Sequence, residues 1–344
     1  MGLLKSRNVV VGAVGFNAKN EWPCVFSFKA VVLATGGAGA LYERTDNPRR
    51  VIGDGYSLAF HAGASLRDME FTQFYPLALA EPGHPPYRLG GSLSEEGKIL
   101  NRHGEVIPEK YGVTARPLVL KSRGPLSVAI MREILSGNGL DGAVLFDATE
   151  VFKTRKDEDW LSTGRYAYFK DKVGAAERPF RVAPISHSNM GGVVADENGR
   201  TGVEGLYTAG EVVGGVHGAN RHGGNALTDI TVFGARAGAE AAEYAKSWER
   251  VDIDGLAESE IERLGSFPSD GIDPMELMAA LRRLMWIKVG LVRSEGGLKE
   301  AFMGVKELKL KAKNIAARTS REMLVALEVP MALDAAGLIL RAAM

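Results

Sequence analysis

The sequence predicts an α/β domain interrupted by an inserted α+β lobe and followed by a helical domain. Three observations predict it. Short β-rich apolar segments end abruptly in glycine clusters, as at Thr35-Gly36-Gly37-Ala38-Gly39. A stretch rich in Gly, Pro and charge, residues 81–117, separates two such regions. Beyond Ser247 the apolar spacing becomes helical, as in Met275, Met278, Leu281, Leu284 and Met285. The boundaries drawn are 1–76 and 185–248 for the two parts of the α/β domain, 77–184 for the lobe and 249–344 for the helical domain.

In chain order, residues 7–16 and 24–34 read as strands around a polar turn at Asn17 to Glu21, with Ala30 to Ala34 a buried strand. Asp54 to Ala62 reads as a helix capped by Gly53 or Asp54, and Leu66 to Phe74 as a strand. Pro125 suits the first residue of a helix running to Leu135 and closed by Gly137. Gly142 to Phe146 reads as a strand and 154–172 as a polar helix. Val193 to Tyr207 suggests a hairpin turning at Glu197-Asn198-Gly199. Asn225 to Ser247 reads as a long helix whose small residues Gly234, Ala235, Gly238 and Ala239 would let a sheet or cofactor lie close.

Composition narrows the function. The chain has 42 basic and 42 acidic residues, so it lacks the basic footprint of a nucleic-acid binder. A single cysteine, Cys24, excludes an internal disulfide, an iron–sulfur cluster or a thiolate zinc site, and fits a reducing cytosol. No metal site is expected. No apolar run approaches the length of a membrane span, and no cleavable signal is visible. Met1 to Ser6 matches the loose myristoylation pattern, read here as a coincidence in front of a strand. Glycine is the outlier, with 42 copies in 344 residues. That is about 12% against an average of about 7%, and the copies fall in clusters that let backbone approach a ligand.

The motifs form an ordered set: Ala34-Thr35-Gly36-Gly37, Gly53-Asp54-Gly55, Asp68 to Phe74, His187-Ser188-Asn189-Met190-Gly191-Gly192, Gly205 to Glu211, His217-Gly218-Ala219-Asn220-Arg221 and Gly223-Gly224-Asn225-Ala226-Leu227. In order and spacing this set resembles the flavoprotein subunit of succinate dehydrogenases and fumarate reductases, a group that includes L-aspartate oxidase. The resemblance covers nearly the whole chain and is most specific over 187–245. It implies that the α/β domain is part of an FAD-binding domain, that the lobe is a capping domain, and that FAD is the cofactor. By resemblance Thr35, Gly36, Gly37, Asp54, Glu211, Asn225, Ala226 and Leu227 contact FAD. A helix starting at Asn225 would aim its positive end at the flavin, where it stabilises negative charge on the reduced ring.

The resemblance also implies a carboxylate-bearing substrate held by His187 and Arg221, with Arg123 as proton donor. A guanidinium offers two parallel hydrogen bonds to a carboxylate. The family histidine of Gln-Phe-His-Pro is replaced by Tyr75, which can donate one hydrogen bond to substrate but carries no imidazolium charge. The family's Thr-Glu pair is replaced near Leu89-Gly90, and its Arg-Gly-Glu-Gly survives only as Ser94-Glu95-Glu96-Gly97. His222 replaces the usual leucine after Arg221, as a solvated or packed residue rather than a ligand. These departures open the way to a substrate other than fumarate or succinate.

No GxGxxG fingerprint occurs between a strand and a helix in the chain: Gly137-Asn138-Gly139-Leu140-Asp141-Gly142 follows a helix and precedes a strand, and Gly12-Ala13-Val14-Gly15 lacks the third glycine and the following helix. The resemblance places that fingerprint upstream, in another chain or a lost piece, and leaves the C-terminal family motif beyond Met344. Electrons would come from an iron–sulfur or cytochrome partner, in the cytoplasm or at the inner membrane face through that partner. The alternatives are an L-aspartate oxidase and a non-catalytic fragment or complementing subunit that binds no FAD alone.

Overall fold

Val9–Asn17 forms the centre of an antiparallel sheet between Gly2–Ser6 and Trp22–Ser27. This is seen in a computed structural model that describes residues 1–154, 163–265 and 267–344. The chain divides into two compact units. Unit 1 comprises Met1–Glu43, Asn47–Gln73 and Ser188–Met344, and unit 2 comprises Arg44–Asp46 and Phe74–His187. Unit 2 takes in the stretch expected to form the capping domain. The C-terminal helices fall in unit 1, together with the α/β elements, rather than standing apart.

In unit 1 the meander packs Leu4, Val9, Val11 and Val14 against Ile253, Ala257, Leu264 and Leu327. Gly12 lies in the middle of its strand, against Phe26 O, and not in a phosphate-binding turn. Val31–Leu33 pairs in parallel with Leu206–Thr208. The expected strand Leu66 to Phe74 is instead two strands, Leu66–Arg67 and Thr72–Leu79, because Asp68 turns the chain at φ 57°. Leu66–Arg67 pairs antiparallel with Gly192–Val193.

The expected hairpin over Val193 to Tyr207 also differs. Its turn forms, with Asp196 Oδ1 accepting from the backbone of Asn198 and Arg200. Its two flanks, however, join different strands, because pairing partners far away in sequence compete for them. The helix Asp54–Ala62 lies where expected, closed by Gly63 at φ 100°. The helix Asn225–Ser247 also lies where expected. Its inward residues are Asp229, Ala237 and Ala241, while a Cβ built on Gly234 or Gly238 would meet nothing within 4 Å. The small residues singled out from the sequence thus face outward, and Ala237 makes the close approach, to Gly199.

Four helices close unit 1: Asp254–Gly265, Pro274–Lys288, Glu295–Lys311 and Ser320–Ala343. Asp273, Ser294 and Thr319 cap the last three by accepting backbone N–H bonds. Ser320–Ala343 is long and apolar enough to cross a membrane by length and composition, which a count of uninterrupted apolar residues does not reveal. It is instead mostly buried, packed against Asp54–Ala62, Pro274–Lys288 and Glu295–Lys311.

Unit 2 is built on a sheet in the order Thr72–Leu79, Phe180–Asn189, Val144–Asp147, Lys98–Leu100. The strand expected over Gly142 to Phe146 therefore starts at Val144. The helix expected from Pro125 begins two residues earlier and spans Arg123–Leu135, so Arg123 opens its first turn. Of the expected helix 154–172, the structure shows Thr163–Ala167 and a π-helical turn at Tyr168–Val173; residues 155–162 lie outside the described residues. The core of the unit gathers Phe146, Phe152, Tyr166, Phe169 and Phe180 around aliphatic residues from every strand.

Candidate functional site

The expected site residues divide between the units. Thr35, Gly36, Gly37, Asp54, Glu211, Arg221, Asn225, Ala226 and Leu227 belong to unit 1, and Tyr75, Arg123 and His187 to unit 2.

In unit 1, Val31–Leu33 delivers Thr35-Gly36-Gly37 to the N-terminal end of Asp54–Ala62, where Gly53 N donates to Gly37 O at 3.1 Å. Gly36 has φ 78°. Gly37 is held close to the Glu211 carboxylate, so that a Cβ there would overlap Glu211 Oε1. Glu211 Oε1 in turn accepts from Asn189 N at 2.8 Å, and Asn189 Oδ1 accepts from Ala38 N at 2.8 Å. Asn189 thus ties the strand end to the acidic residue, a role the motif alone does not disclose. Burial pushes the Asp54 carboxyl above its ordinary range, against the backbone N–H groups and Arg50 that favour its charge.

Arg221 is buried. Its Nη2 donates to Gln73 Oε1 at 3.2 Å, and Gln73 Nε2 donates to Arg221 O at 2.8 Å and to Asn220 Oδ1 at 2.6 Å. Gln73 therefore fixes both the backbone and the guanidinium of Arg221. His222 is exposed, as expected of a solvated residue. Asn225-Ala226-Leu227 begins the helix Asn225–Ser247, whose cap residue Gly224 supplies no side-chain hydrogen bond. His217 Nε2 lies 3.3 Å from Asp229 Oδ2, a pair that no sequence pattern singles out. Burial raises the Asp229 carboxyl, while His217 opposes the shift.

In unit 2, the segment Arg44–Asp46 is stitched beside Phe180–Asn189 by Ser186 N donating to Arg44 O and Asp46 N to Ser186 O. Asp46 Oδ2 thereby stands 2.9 Å from His187 Nδ1 and 3.1 Å from Arg88 Nε. Residues 87–89 run antiparallel beside Leu77 to Leu79, which brings Arg88 Nη1 to 3.4 Å from His187 Nε2. The Tyr75 ring lies edge-on to His187 at 5.9 Å and carries the guanidinium carbons of Arg88 and Arg123 at 5.5 and 5.6 Å. The Tyr75 hydroxyl donates to Leu89 O at 2.5 Å and so is engaged within the unit, where the sequence suggests donation to substrate. Burial raises the Tyr75 hydroxyl's pKa, and the nearby arginines pull it back. Arg123, at the first turn of its helix, donates from Nε to Val119 O at 3.4 Å. Asp46 and Arg88 carry no motif; only the folded neighbourhood of His187 reveals them.

The residues of unit 1 fit a flavin nucleotide. Thr35 Oγ1 is buried and has no hydrogen-bond partner among the described residues, and Asp229 Oδ1 is in the same position. Buried polar atoms are normally satisfied, so both call for a partner. The helix start at Asn225 lacks a side-chain cap, and Leu227 beside it is 72% exposed. Such an end suits negative charge, and the apolar neighbour suits an aromatic ring.

Comparison with known proteins gives the same direction. The family model "FAD binding domain" matches residues 1–227. A CoM/CoB fumarate reductase chain of Methanothermobacter marburgensis is 37% identical over 99% of this chain and 63% of that protein. L-aspartate oxidase of Agrobacterium fabrum is 35% identical over 79% of this chain and 49% of that protein. Among solved structures, Mycobacterium smegmatis Sdh1 in complex with UQ1 superposes with a TM-score of 0.88 at 29% identity, over 99% of this chain and 59% of that one. FrdA of Escherichia coli quinol fumarate reductase superposes with a TM-score of 0.85 at 27% identity, over 99% of this chain and 62% of that one. The chain thus spans about three-fifths of the length of the first of these relatives. With the buried Thr35 hydroxyl, the Glu211–Asn189–Ala38 ties and the helix start at Asn225 set against these matches, the chain belongs to the FAD binding domain family, in the succinate dehydrogenase/fumarate reductase flavoprotein group.

Proposed function

We propose that the protein of which this chain forms part is an FAD-dependent oxidoreductase of the fumarate reductase/succinate dehydrogenase type, acting on a carboxylate-bearing substrate. Bound FAD supplies the two-electron chemistry as a hydride exchanged at a carbon next to a carboxylate. Thr35, Gly36, Gly37, Asp54, Glu211, Asn225, Ala226 and Leu227 are the residues that would hold it. The observation that carries the reading is Arg221, a buried guanidinium oriented by the neutral side chain of Gln73. A buried arginine held this way is suited to bind a carboxylate.

His187 contributes an imidazole whose Nδ1 lies 2.9 Å from Asp46 Oδ2 and whose Nε2 lies 3.4 Å from Arg88 Nη1. Arg123 serves as proton donor. A free guanidinium is a poor acid, so this role needs re-protonation from neighbours; the Arg123 guanidinium lies over the Tyr75 ring at 5.6 Å. The electron partner is an iron–sulfur or cytochrome protein, since this chain's lone cysteine cannot ligate a cluster. The location is cytoplasmic or peripheral to the membrane through that partner.

In the FAD-loaded protein, reduced viologen should be oxidised on addition of fumarate, and Arg123→Gln should lower turnover by at least about 100-fold. Full turnover by that variant removes Arg123 from the mechanism. A second reading, an L-aspartate oxidase, is favoured by the 35% identity to such an enzyme over 79% of the chain. Peroxide formed on addition of aspartate supports it. A third, a non-catalytic or complementing subunit, is supported if the purified chain stays colourless after FAD is added.

A further inference from the structure

Away from the glycine motifs, unit 1 holds a cavity of about 310 Å³ where three of its elements meet. They are a turn over residues 48–51, closed by Val51 N donating to Pro48 O, and the helices Pro274–Lys288 and Ser320–Ala343. Arg49 and Arg50 occupy the two central positions of the turn, Arg282 comes from the first helix, and Arg321 from the first turn of the second. Among the described residues lining the cavity, Glu328 is the one carboxylate. The rest of the wall is apolar, made by Met275, Met278, Leu324 and Val325.

The contacts in the wall leave four guanidiniums facing one carboxylate. Arg50 Nε donates to Glu328 Oε1 at 2.6 Å, and the nearby Asp54 charge favours Arg50 and opposes Glu328. The other bonds go to backbone carbonyls, which fix a guanidinium without cancelling its charge. Arg49 Nη1 donates to Glu43 O at 3.2 Å, and Arg282 donates from Nε to Ala40 O at 2.9 Å and from Nη2 to Arg49 O at 2.8 Å. Arg321 is exposed and makes no hydrogen bond or ion pair with a described residue. Burial, and then the charge of Arg49, disfavour the charged form of Arg282, while Glu328 favours it. An anion entering the cavity would relieve this repulsion. Guanidiniums suit a carboxylate or phosphate, and an apolar wall with two adaptable methionines suits hydrocarbon.

We propose that this cavity is a binding site for a small amphiphilic anion, a carboxylate or phosphate head on an apolar body, with the head met by Arg49 and Arg321 and the body by the methionine, leucine and valine wall. Arg282 is a positioning residue in it: its two bonds to Ala40 O and Arg49 O hold the turn against the helix Pro274–Lys288. Binding there is independent of the redox chemistry proposed above, and its test needs no turnover.

The test titrates octanoate, octyl phosphate and octanol into the FAD-loaded full-length protein by isothermal titration calorimetry, with inorganic phosphate as a head without a body. At least one octyl anion should bind about 10-fold or more tightly than both octanol and inorganic phosphate, and the tighter head tells a carboxylate ligand from a phosphate one. Arg49→Gln and Arg321→Gln should each raise the Kd of that anion by about 3- to 10-fold, and together by about 10- to 100-fold, with octanol little altered. Arg321→Lys keeps the charge but not the fork, and should fall between wild type and Arg321→Gln. Both arginines are exposed, so the ligand-free melting temperature of the double variant should stay within about 3 °C of wild type, which separates loss of the site from loss of the fold. Octanol binding as tightly as the anions overturns the proposal, because the cavity would then be a plain apolar pocket. So does a double variant whose Kd for the anion stays within twofold of wild type, or the absence of binding heat from either anion at about 5 mM. A dimer in light scattering that Arg321→Gln disperses and the anions do not would assign the face to a second copy of the chain, and overturns it too.

Discussion

In unit 1 the Gly191-Gly192 doublet sits where backbone meets backbone. Gly191 lies against Asp68 O and Gly192 against Val212 O, both too close to admit a Cβ. In unit 2 the residues around His187 are held by side chain on side chain: Tyr75 under Arg88 and Arg123, Asp46 on Arg88 and His187, and an aromatic core beneath. A backbone-built site tolerates little change at its glycines but much change at its side chains. A side-chain-built site behaves the other way, and it can exchange one anchor for another while the sheet remains.

That contrast can be broken most forcefully in the core of unit 2. Phe146 is fully buried and tilts against Phe180 at 5.5 Å. Phe146→Ala should cost about 3–5 kcal/mol in urea unfolding. A cost below about 1 kcal/mol would show that the aromatic cluster does not hold this unit. Next, Gly191→Ala forces a methyl group onto the Asp68 carbonyl, which cannot yield without moving the turn. It should cost about 3 kcal/mol and weaken flavin absorbance, whereas a normally coloured, stable variant would remove the distinction between the units.

A third test sharpens the comparison through pH. Glu133 is buried, and burial alone pushes its carboxyl up. Hydrogen bonds from Asn101 at 2.7 Å and Tyr111 at 2.8 Å, with Lys110 at 3.1 Å, outweigh that and hold it below the ordinary carboxylate range. A carboxyl depressed in the folded state stabilises fully above its unfolded value, and that stability is lost as pH falls through the folded value. Glu133→Gln should therefore cost roughly 2 kcal/mol at neutral pH. Its deficit relative to wild type should shrink on acidification below pH about 4. A deficit independent of pH would assign the role to shape rather than charge. The smallest effect belongs to unit 1. His61, 64% exposed at its side chain, bonds Asp334 at 2.8 Å beside Lys309 at 2.6 Å, so His61→Ala should cost only about 0.5 kcal/mol.

What the sequence discloses follows the range of the forces involved. Asp54–Ala62 and Asn225–Ser247 are legible because their signals are local: the glycines Gly53 and Gly63 that bound the first, and the alanine-rich run of the second. The glycine motifs are legible because close backbone approach demands them locally. Pairing is not legible. Leu66–Arg67 joins Gly192–Val193, and Leu206–Thr208 joins Val31–Leu33, across long separations that no local pattern encodes. The same limit hides Asp46 and Arg88. Asp46 matters because residues 44–46 are stitched to a strand ending at Asn189, and Arg88 because residues 87–89 lie beside Leu77 to Leu79. The inward face of Asn225–Ser247 is hidden for a related reason: smallness permits close approach but does not say which side is approached.

The helix Ser320–Ala343 has a consequence for how the chain is handled as it is made. A nascent segment of this length and apolarity competes for insertion into a bilayer. Glu328 and Asp334 stand near its middle, where an aspartate costs about 3 kcal/mol on transfer into lipid. In the folded unit Arg50 pairs with Glu328, and Lys309 and His61 with Asp334. The two carboxylates that fasten this helix to its neighbours also weigh against its diversion into a membrane before it has packed against them.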